Sequence, residues 1–292
     1  PRGGALVLGQ RTLVMGVINV TPDSFTDGGL NLDPEHSLST AVAFEKAGVD
    51  LLDVGGESTR PGASPLSATD ECKRVLPVIE RIAERVRVPV SIDTYKADVA
   101  RLAIECGASI VNDVSALRSG PEIAEVAAAS GAPIVLMHSR GSSRKMYEKA
   151  YYSDIVSEVT AELGSAVKTA MEVGVSRDQI IVDPGLGFAK RSDQTLRILA
   201  HLPSLGCLDR PILVGPSRKS FLGVGLGDRL PLEREWGTAA AVAAVTPHFS
   251  SSFFDNSAAS ITVSFDKSSI ILFKSDMVYI FKLIVCFFCA LK

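Results

Sequence analysis

An excess of charge of either sign is what this sequence lacks. Lys and Arg number 30 against 33 Asp and Glu, a net charge of −3 over 292 residues. A balance that close to neutral gives no general attraction to nucleic acid or to an anionic membrane. Cysteine is scarce, with Cys72, Cys106, Cys207, Cys286 and Cys289 scattered along the chain. An odd, sparse set argues against a disulfide framework and for reduced thiols in a cytoplasmic compartment. Cys286 and Cys289 form a CxxC, but no second pair or His accompanies it, which argues against a zinc site. No Ser–His–Asp or Cys–His nucleophile arrangement stands out. The chain begins at Pro1 with no signal peptide, and the expectation is a cut N-terminus. No stretch reads as a convincing membrane span: the most apolar, Tyr279–Leu291, is short and is interrupted by Lys282. An aggregation-prone end is the expectation there instead of an anchor.

What is present is one pattern repeated. Apolar strand-like runs cover Leu13–Asn19, Val49–Gly55, Val88–Asp93, Ile110–Asp113, Ile134–His138, Ile180–Asp183 and Ile212–Gly215. Helix-periodic segments lie between them: Ser37–Ala47, Asp70–Arg85, Ala97–Glu105, Glu122–Ala129, Asp154–Val173 and Gln194–His201. Several stop at a glycine, a left-handed cap signal. Buried apolar strands alternating with amphipathic helices predict parallel strands joined by helical crossovers. Such strands in a single composition regime suit a (β/α)8 TIM barrel, and no glycine-rich dinucleotide fingerprint supports an open sheet.

Each run ends in something polar: Asn19, Asp53, Asp93, Asn112 with Asp113, His138, Asp183, then Gly215-Pro-Ser-Arg-Lys219. Carboxylates and amides in a barrel wall are costly unless paired or wet. In this architecture the C-terminal strand ends form the active-site face. The set therefore predicts a polar pocket. Asp93, Asn112 and Asp183 suit a flat heterocycle with N–H donors, since a carboxylate can accept two parallel N–H bonds. Arg60, Arg218 and Lys219, with Ser58, Thr59 and Ser217, suit a phosphate or diphosphate. Asn19 is uncharged, so Mg2+ beside it would take most of its shell from phosphate and water. Thr21–Asn31 and Gly55–Ser67, rich in Gly, Pro and Ser, read as lids.

Six segments together resemble dihydropteroate synthase: Gly16-Val-Ile-Asn-Val-Thr-Pro-Asp-Ser-Phe25, Asp53-Val-Gly-Gly-Glu-Ser-Thr-Arg-Pro-Gly62, Ser91-Ile-Asp-Thr94, Val111-Asn-Asp-Val114, Asp183-Pro-Gly-Leu-Gly-Phe188 and Gly215-Pro-Ser-Arg-Lys-Ser220. The resemblance implies a (β/α)8 barrel that joins p-aminobenzoate to 6-hydroxymethyl-7,8-dihydropterin diphosphate and releases pyrophosphate. It implies Mg2+ at Asn19. It implies a pterin site of Asp93, Asn112 and Asp183, with Lys219 bonding the ring and Met137 lining the pocket. Thr59 would lie near the diphosphate and Arg60 near the aminobenzoate. Pro61, Phe188 and Ser220 would border the aminobenzoate, and Gly215, Ser217 and Arg218 belong to the same substrate-binding segment. It also implies a homodimer.

The likeness runs from about Leu13 to Val245 and then stops. The family continues with an eighth strand ending in Arg-x-His and a last helix, and no Arg-x-His appears from Thr246 to Lys292. The expected organisation is a pterin-binding barrel at 1–245 and an atypical tail at 246–292, with the eighth βα unit missing or replaced. The tail reads like a shifted frame or an unspliced intron. Without an eighth strand the first and seventh would have open edges. The alternative function is an inactive or misfolded synthase-like chain that at most binds pterin. Ile270–Phe273 could mimic a strand. A related pterin-binding methyltransferase would not call for the Ser217-Arg-Lys219 cluster.

Overall fold

The computed structural model describes residues 6–8, 11–21, 33–59, 62–141, 146–227, 229–246 and 280–285. Of the expected features, Arg60, Pro61, most of the first lid, Ile270–Phe273, Cys286 and Cys289 lie outside them.

Seven βα repeats build the molecule. The strands are β1 (Leu13–Asn19), β2 (Leu51–Gly55), β3 (Val90–Asp93), β4 (Ile110–Asp113), β5 (Ile134–Met137), β6 (Ile180–Asp183) and β7 (Ile212–Val214). Each pairs in parallel with the one before it. The helices are α1 (Pro34–Ala47), α2 (Ala68–Arg85), α3 (Ala97–Glu105), α4 (Glu122–Ser130), α5 (Ile155–Glu172), α6 (Ser192–Ala200), α7 (Gly223–Leu226) and α8 (Glu235–Val245).

Three helices, α1, α2 and α6, begin earlier than their apolar periodicity predicts, and side-chain caps explain the first two. The Asp33 side chain accepts from the amide of Glu35 at 3.1 Å, and Pro34 fills the first turn, where its missing N–H is harmless. The Ser67 hydroxyl accepts from the amide of Asp70 at 3.1 Å and starts α2 at Ala68. At the other end of α1, Gly48 takes φ +91°, as the stop signal predicts.

An eighth strand, β8 (Ile280–Val285), closes the barrel. It runs antiparallel and places Ile284 opposite both Leu13 of β1 and Leu213 of β7. The expectation of open edges on β1 and β7 is thereby corrected. Those edges carry unpaired N–H and C=O groups, and any extended segment of the right length can satisfy them in either direction. The segment Ile280–Val285 does so, antiparallel to both.

The barrel interior at the N-terminal end is filled by Leu13, Met15, Leu51, Ile110, Val135, Ile181 and Leu213, with Leu6 and Leu8 against them. A larger layer lies between strands and helices, around Phe44, Ile79, Ile82, Ile92 and Ile134. Apolar side chains so arranged leave the polar ones to the opposite end of the barrel. No helix among the described residues is long and apolar enough to cross a membrane.

Candidate active site

Strand register assembles the site. Asn19 lies opposite Gly55, Gly55 opposite Asp93, and Asp93 opposite Asn112, so the ends of four neighbouring strands share one level. On the next strands Met137 lies opposite Asp183. Gly55 leaves room there: a Cβ on it would stand 3.5 Å from the Asp93 Oδ2.

Asn112 is 1% exposed and donates from Nδ2 to both carboxylate oxygens of fully buried Asp53, at 3.2 and 3.0 Å. This bond fixes the amide rotation. It leaves the carbonyl Oδ1, an acceptor, as the atom to meet a ligand N–H. Asp53 thus works one layer below the site, orienting Asn112.

Asp113 has a different task. Its carboxylate accepts from the amides of Ser115 at 2.8 Å and Leu117 at 2.7 Å, in a turn where Ala116 and Leu117 both have positive φ. It shapes the loop and is not at the level of the other strand-end groups. Burial pushes its pKa up, and these two amides work against that shift.

Asp183, 3% exposed, accepts from the amide of Gly185 at 2.7 Å. Gly185 has φ +64°, and a Cβ on it would stand 2.0 Å from the His138 carbonyl oxygen, so this turn has room for glycine alone. Gly185→Ala is expected to destabilise the chain by more than about 2 kcal/mol, because backbone and not a flexible side chain blocks the methyl. Urea unfolding beside the parent checks it. Lys219 reaches the same turn. Its Nζ donates to the Leu186 carbonyl and stands 4.4 Å from the centre of the Phe188 ring.

The other expected groups are placed unevenly. Thr59 and Ser217 are half-buried, Gly215 and Met137 are buried, and Ser220 is exposed. Arg218 does not join them. At φ +55° its backbone turns the side chain toward α8, where the guanidinium meets Glu235 at 3.1 Å and the amide donates to the Thr238 hydroxyl at 3.0 Å.

Two polar networks beside the site have no counterpart in the sequence reading. Lys96 ties Glu57, at the root of the second lid, to fully buried Glu71 of α2. Behind the Asp183 turn, Lys190 Nζ lies 2.8 Å from His138 Nδ1, and His138 Nε2 lies 3.0 Å from Glu162 Oε2. Arg140 pairs with Glu162 and Glu158 and stacks 4.0 Å over Tyr152. A strand ending in His138 was the only signal available for either.

His138 stays neutral in this setting. Burial, then the Lys190 charge, pushes its pKa down to about 4, while Glu162 opposes the shift. An unfolded imidazole titrates near 6.5. Between those values the unfolded chain binds a proton that the folded chain does not, so stability falls as pH drops from about 6.5 toward 4. From pH 7.5 to 5.0 the expected loss is about 2 kcal/mol, and His138→Asn should remove most of it. Denaturant unfolding at the two pH values checks this. Glu162, whose pKa is held down to about 2 by His138 first, adds its own loss only at lower pH.

Among the described residues no cluster of three or more His, Cys, Asp or Glu could hold a metal ion. Asn19, half-buried at the end of β1, offers a single amide oxygen. That donor set suits a hard cation such as Mg2+ only if a ligand and water supply the rest of its shell.

Comparison with known proteins gives concordant results. A model of the family described as pterin binding enzyme matches residues 15–248. Dihydropteroate synthase of Synechocystis sp. is 45% identical over 232 residues, 80% of this chain and 80% of that protein. Among solved structures, dihydropteroate synthase of Xanthomonas albilineans with 4-aminobenzoic acid superposes at a TM-score of 0.73, with 40% identity over 79% of this chain and 82% of that one. The same enzyme in complex with 7,8-dihydropteroate gives a TM-score of 0.71 and 37% identity over 80% and 84%.

Proposed function

The chain belongs to the pterin-binding enzymes, as a dihydropteroate synthase, and from that premise we infer how its own residues do the work. The reaction is the condensation of 6-hydroxymethyl-7,8-dihydropterin diphosphate with p-aminobenzoate, giving 7,8-dihydropteroate and pyrophosphate. The observation that carries the site assignment is the single level shared by Asn19, Gly55, Asp93 and Asn112, with Asp183 across the barrel mouth.

The pterin lies against this level. Asp93 and Asp183 accept from its N–H groups, and Asn112 accepts through Oδ1. Lys219 donates to the ring from its place over Phe188. The C–O bond between the pterin methylene and the diphosphate breaks first. The positive charge left on the pterin methylene is delocalised into the ring, where Asp93 and Asp183 stabilise it electrostatically in a partly dry site. The neutral arylamine then attacks the methylene, forms the C–N bond and loses its proton. No strong base is needed for that loss, because an arylamine is nucleophilic while neutral. Mg2+, held by Asn19 with diphosphate oxygens and water, would draw charge off the leaving group. By the family resemblance, Thr59 would serve the diphosphate and Arg60 the aminobenzoate. By the same resemblance, Phe188 and Ser220, with Pro61, would border the aminobenzoate. Gly215 and Ser217, in the segment that follows β7, belong to the substrate-binding set. Arg218 acts by holding that segment to Glu235.

We read residues 1–245 as the catalytic barrel and 246–292 as a tail standing in for the family's eighth strand and helix. The family match ends at residue 248, β8 is the strand that pairs antiparallel, and no Arg-x-His follows Val245. These observations favour a second reading, a chain that binds pterin without turning it over. Two charged hydrogen bonds lost from the diphosphate, at about 1.5–3 kcal/mol each, would lower activity by several orders of magnitude. The exposed Val224, Leu230, Leu232 and Trp236 around α7 and α8 support a homodimer, and we place the enzyme in the cytoplasm.

The test is pyrophosphate release with Mg2+, with and without p-aminobenzoate, beside a chimera carrying a family-type eighth strand and helix. Turnover by the native chain supports the first reading. Turnover by the chimera alone keeps the pocket and makes the tail a lesion. Silence from both removes the assignment of Asn19, Asp93, Asp183 and Lys219.

A further inference from the structure

Among the described residues Lys190 is the most deeply buried basic side chain, at 1% exposure. Nothing in the mechanism above uses it. Its Nζ faces four acceptors: His138 Nδ1 at 2.8 Å, the His138 carbonyl at 3.3 Å, the Gly185 carbonyl at 3.1 Å and the Phe188 carbonyl at 3.0 Å. Burial pushes the Lys190 pKa well down and the Asp183 charge opposes that shift; in its ammonium form the group has three hydrogens and no lone pair, which suits a ring made of acceptors. The bonds join the end of β5 to both halves of the turn that follows β6.

That turn needs something to hold it. Gly185 is pressed against the His138 carbonyl, and the His138 amide donates to the Asp183 carbonyl at 2.8 Å. Three carbonyl dipoles therefore point into one small volume. They repel one another unless a donor sits between them. The turn also carries the groups assigned to the pterin. Asp183 opens it, the Leu186 carbonyl holds Lys219, and Phe188 lies beneath the Lys219 ammonium.

The orientation of the donor is itself fixed. When the Lys190 ammonium donates to Nδ1, the His138 proton sits on Nε2 and faces Glu162 Oε2 at 3.0 Å. Glu162 is held by Arg140, which is held in turn by Glu158 and the Tyr152 ring. The Tyr152 hydroxyl then donates to the Ala189 carbonyl at 3.0 Å, beside Lys190.

We propose that Lys190 is a positioning residue for pterin recognition, its ammonium holding the 183–188 turn in the shape that aims Asp183 and Lys219, with His138 and Glu162 orienting that ammonium. The proposal rests on the pterin-site reading above. It differs from a merely structural role in what it changes. A structural lysine affects how much protein folds. A positioning lysine affects how well each folded molecule binds pterin.

The experiment uses the full chain and four variants: Lys190→Met, Lys190→Gln, His138→Leu and His138→Asn. Binding of 6-hydroxymethylpterin is measured by titration calorimetry, KM and kcat by pyrophosphate release, and the folded fraction by thermal unfolding. Lys190→Met is expected to weaken pterin binding at least about tenfold in the folded protein, with KM for the pterin substrate rising in parallel. Lys190→Gln keeps two hydrogens and should fall between. His138→Asn keeps an acceptor for Lys190 and should stay near the parent, while His138→Leu moves toward Lys190→Met. Pterin affinity in folded Lys190→Met within about twofold of the parent overturns the proposal, whatever its melting temperature. If Lys190→Met does not fold, the same criterion is applied to Lys190→Gln and His138→Leu. A parent that binds no pterin removes the site reading and this proposal together. A parent that binds, with variants that bind equally, removes the proposal alone.

Discussion

Lys96→Met is expected to lower the unfolding free energy by about 3–5 kcal/mol, the range for breaking a buried ion pair by removing one partner. Two carboxylates depend on this one ammonium. Glu71 of α2 has a side chain at 0% exposure and Glu57 one at 9%. Burial pushes the Glu71 pKa up, and the bond from Lys96 is the largest influence against it. Burial likewise works against the Lys96 charge, yet Glu57 and then Glu71 hold its pKa above the usual lysine value. With methionine in its place, one acid must take up a proton or stay charged without a counterion. Adding Glu71→Gln to Lys96→Met should therefore recover part of the loss. Urea unfolding at neutral pH reads both variants, and a loss below about 1 kcal/mol for Lys96→Met would mean the network is worth no more than a surface pair.

The same substitution should reach the active site. Glu57 accepts from the amide of Leu66 at 3.1 Å and from the Tyr95 hydroxyl at 2.9 Å. It pins both ends of the segment that carries Ser58 and Thr59. Lys96 stands 4.3 Å over the Tyr95 ring and completes the cluster. Loosening Glu57 frees the root of the lid, so KM should rise even in molecules that remain folded.

These networks mark the boundary of what sequence reveals. The strand ends were readable because each apolar run stops at a polar residue, and both features are local. Asn19, Asp93, Asn112 and Asp183 follow from that pattern alone. Lys96 and Lys190 do not. Lys96 meets Glu57 across 39 residues and Glu71 across 25, and Lys190 meets His138 across 52. A contact between residues so far apart leaves no periodicity to read. Asp113 was misleading for the opposite reason. It ends its strand as Asp93 does, but two backbone amides claim its carboxylate. Arg218 followed the same course, since a positive φ redirected a side chain that its neighbours suggested would face the mouth. The closing strand was unreadable because its cause is not in its own residues. β1 and β7 create the vacancy, and β8 fills it antiparallel.

Asp183→Ala should reduce kcat/KM by about 10²–10⁴-fold, while Asp183→Asn separates the two tasks of this side chain. One task is local: the carboxylate accepts from the amide of Gly185 and holds the turn. An asparagine Oδ1 can still accept that bond, so Asp183→Asn should fold nearly as well as the parent. The other task needs charge. A carboxylate accepts paired N–H bonds from the pterin edge, and charged hydrogen bonds are worth about 1.5–3 kcal/mol each against roughly half that for neutral ones. An amide replaces one acceptor with a donor, which then faces a ligand donor. Its charge is also absent when the pterin becomes cationic, so kcat should fall along with pterin affinity. Asp183→Ala loses both tasks and should lose stability as well. The decisive comparison is thermal unfolding against pterin titration for the two variants. Asp183→Asn that melts with the parent but binds and turns over poorly establishes the charge as the working feature. Asp183→Asn that is fully active would restrict Asp183 to shaping the turn, and the pterin contact would pass to Asp93 and Asn112.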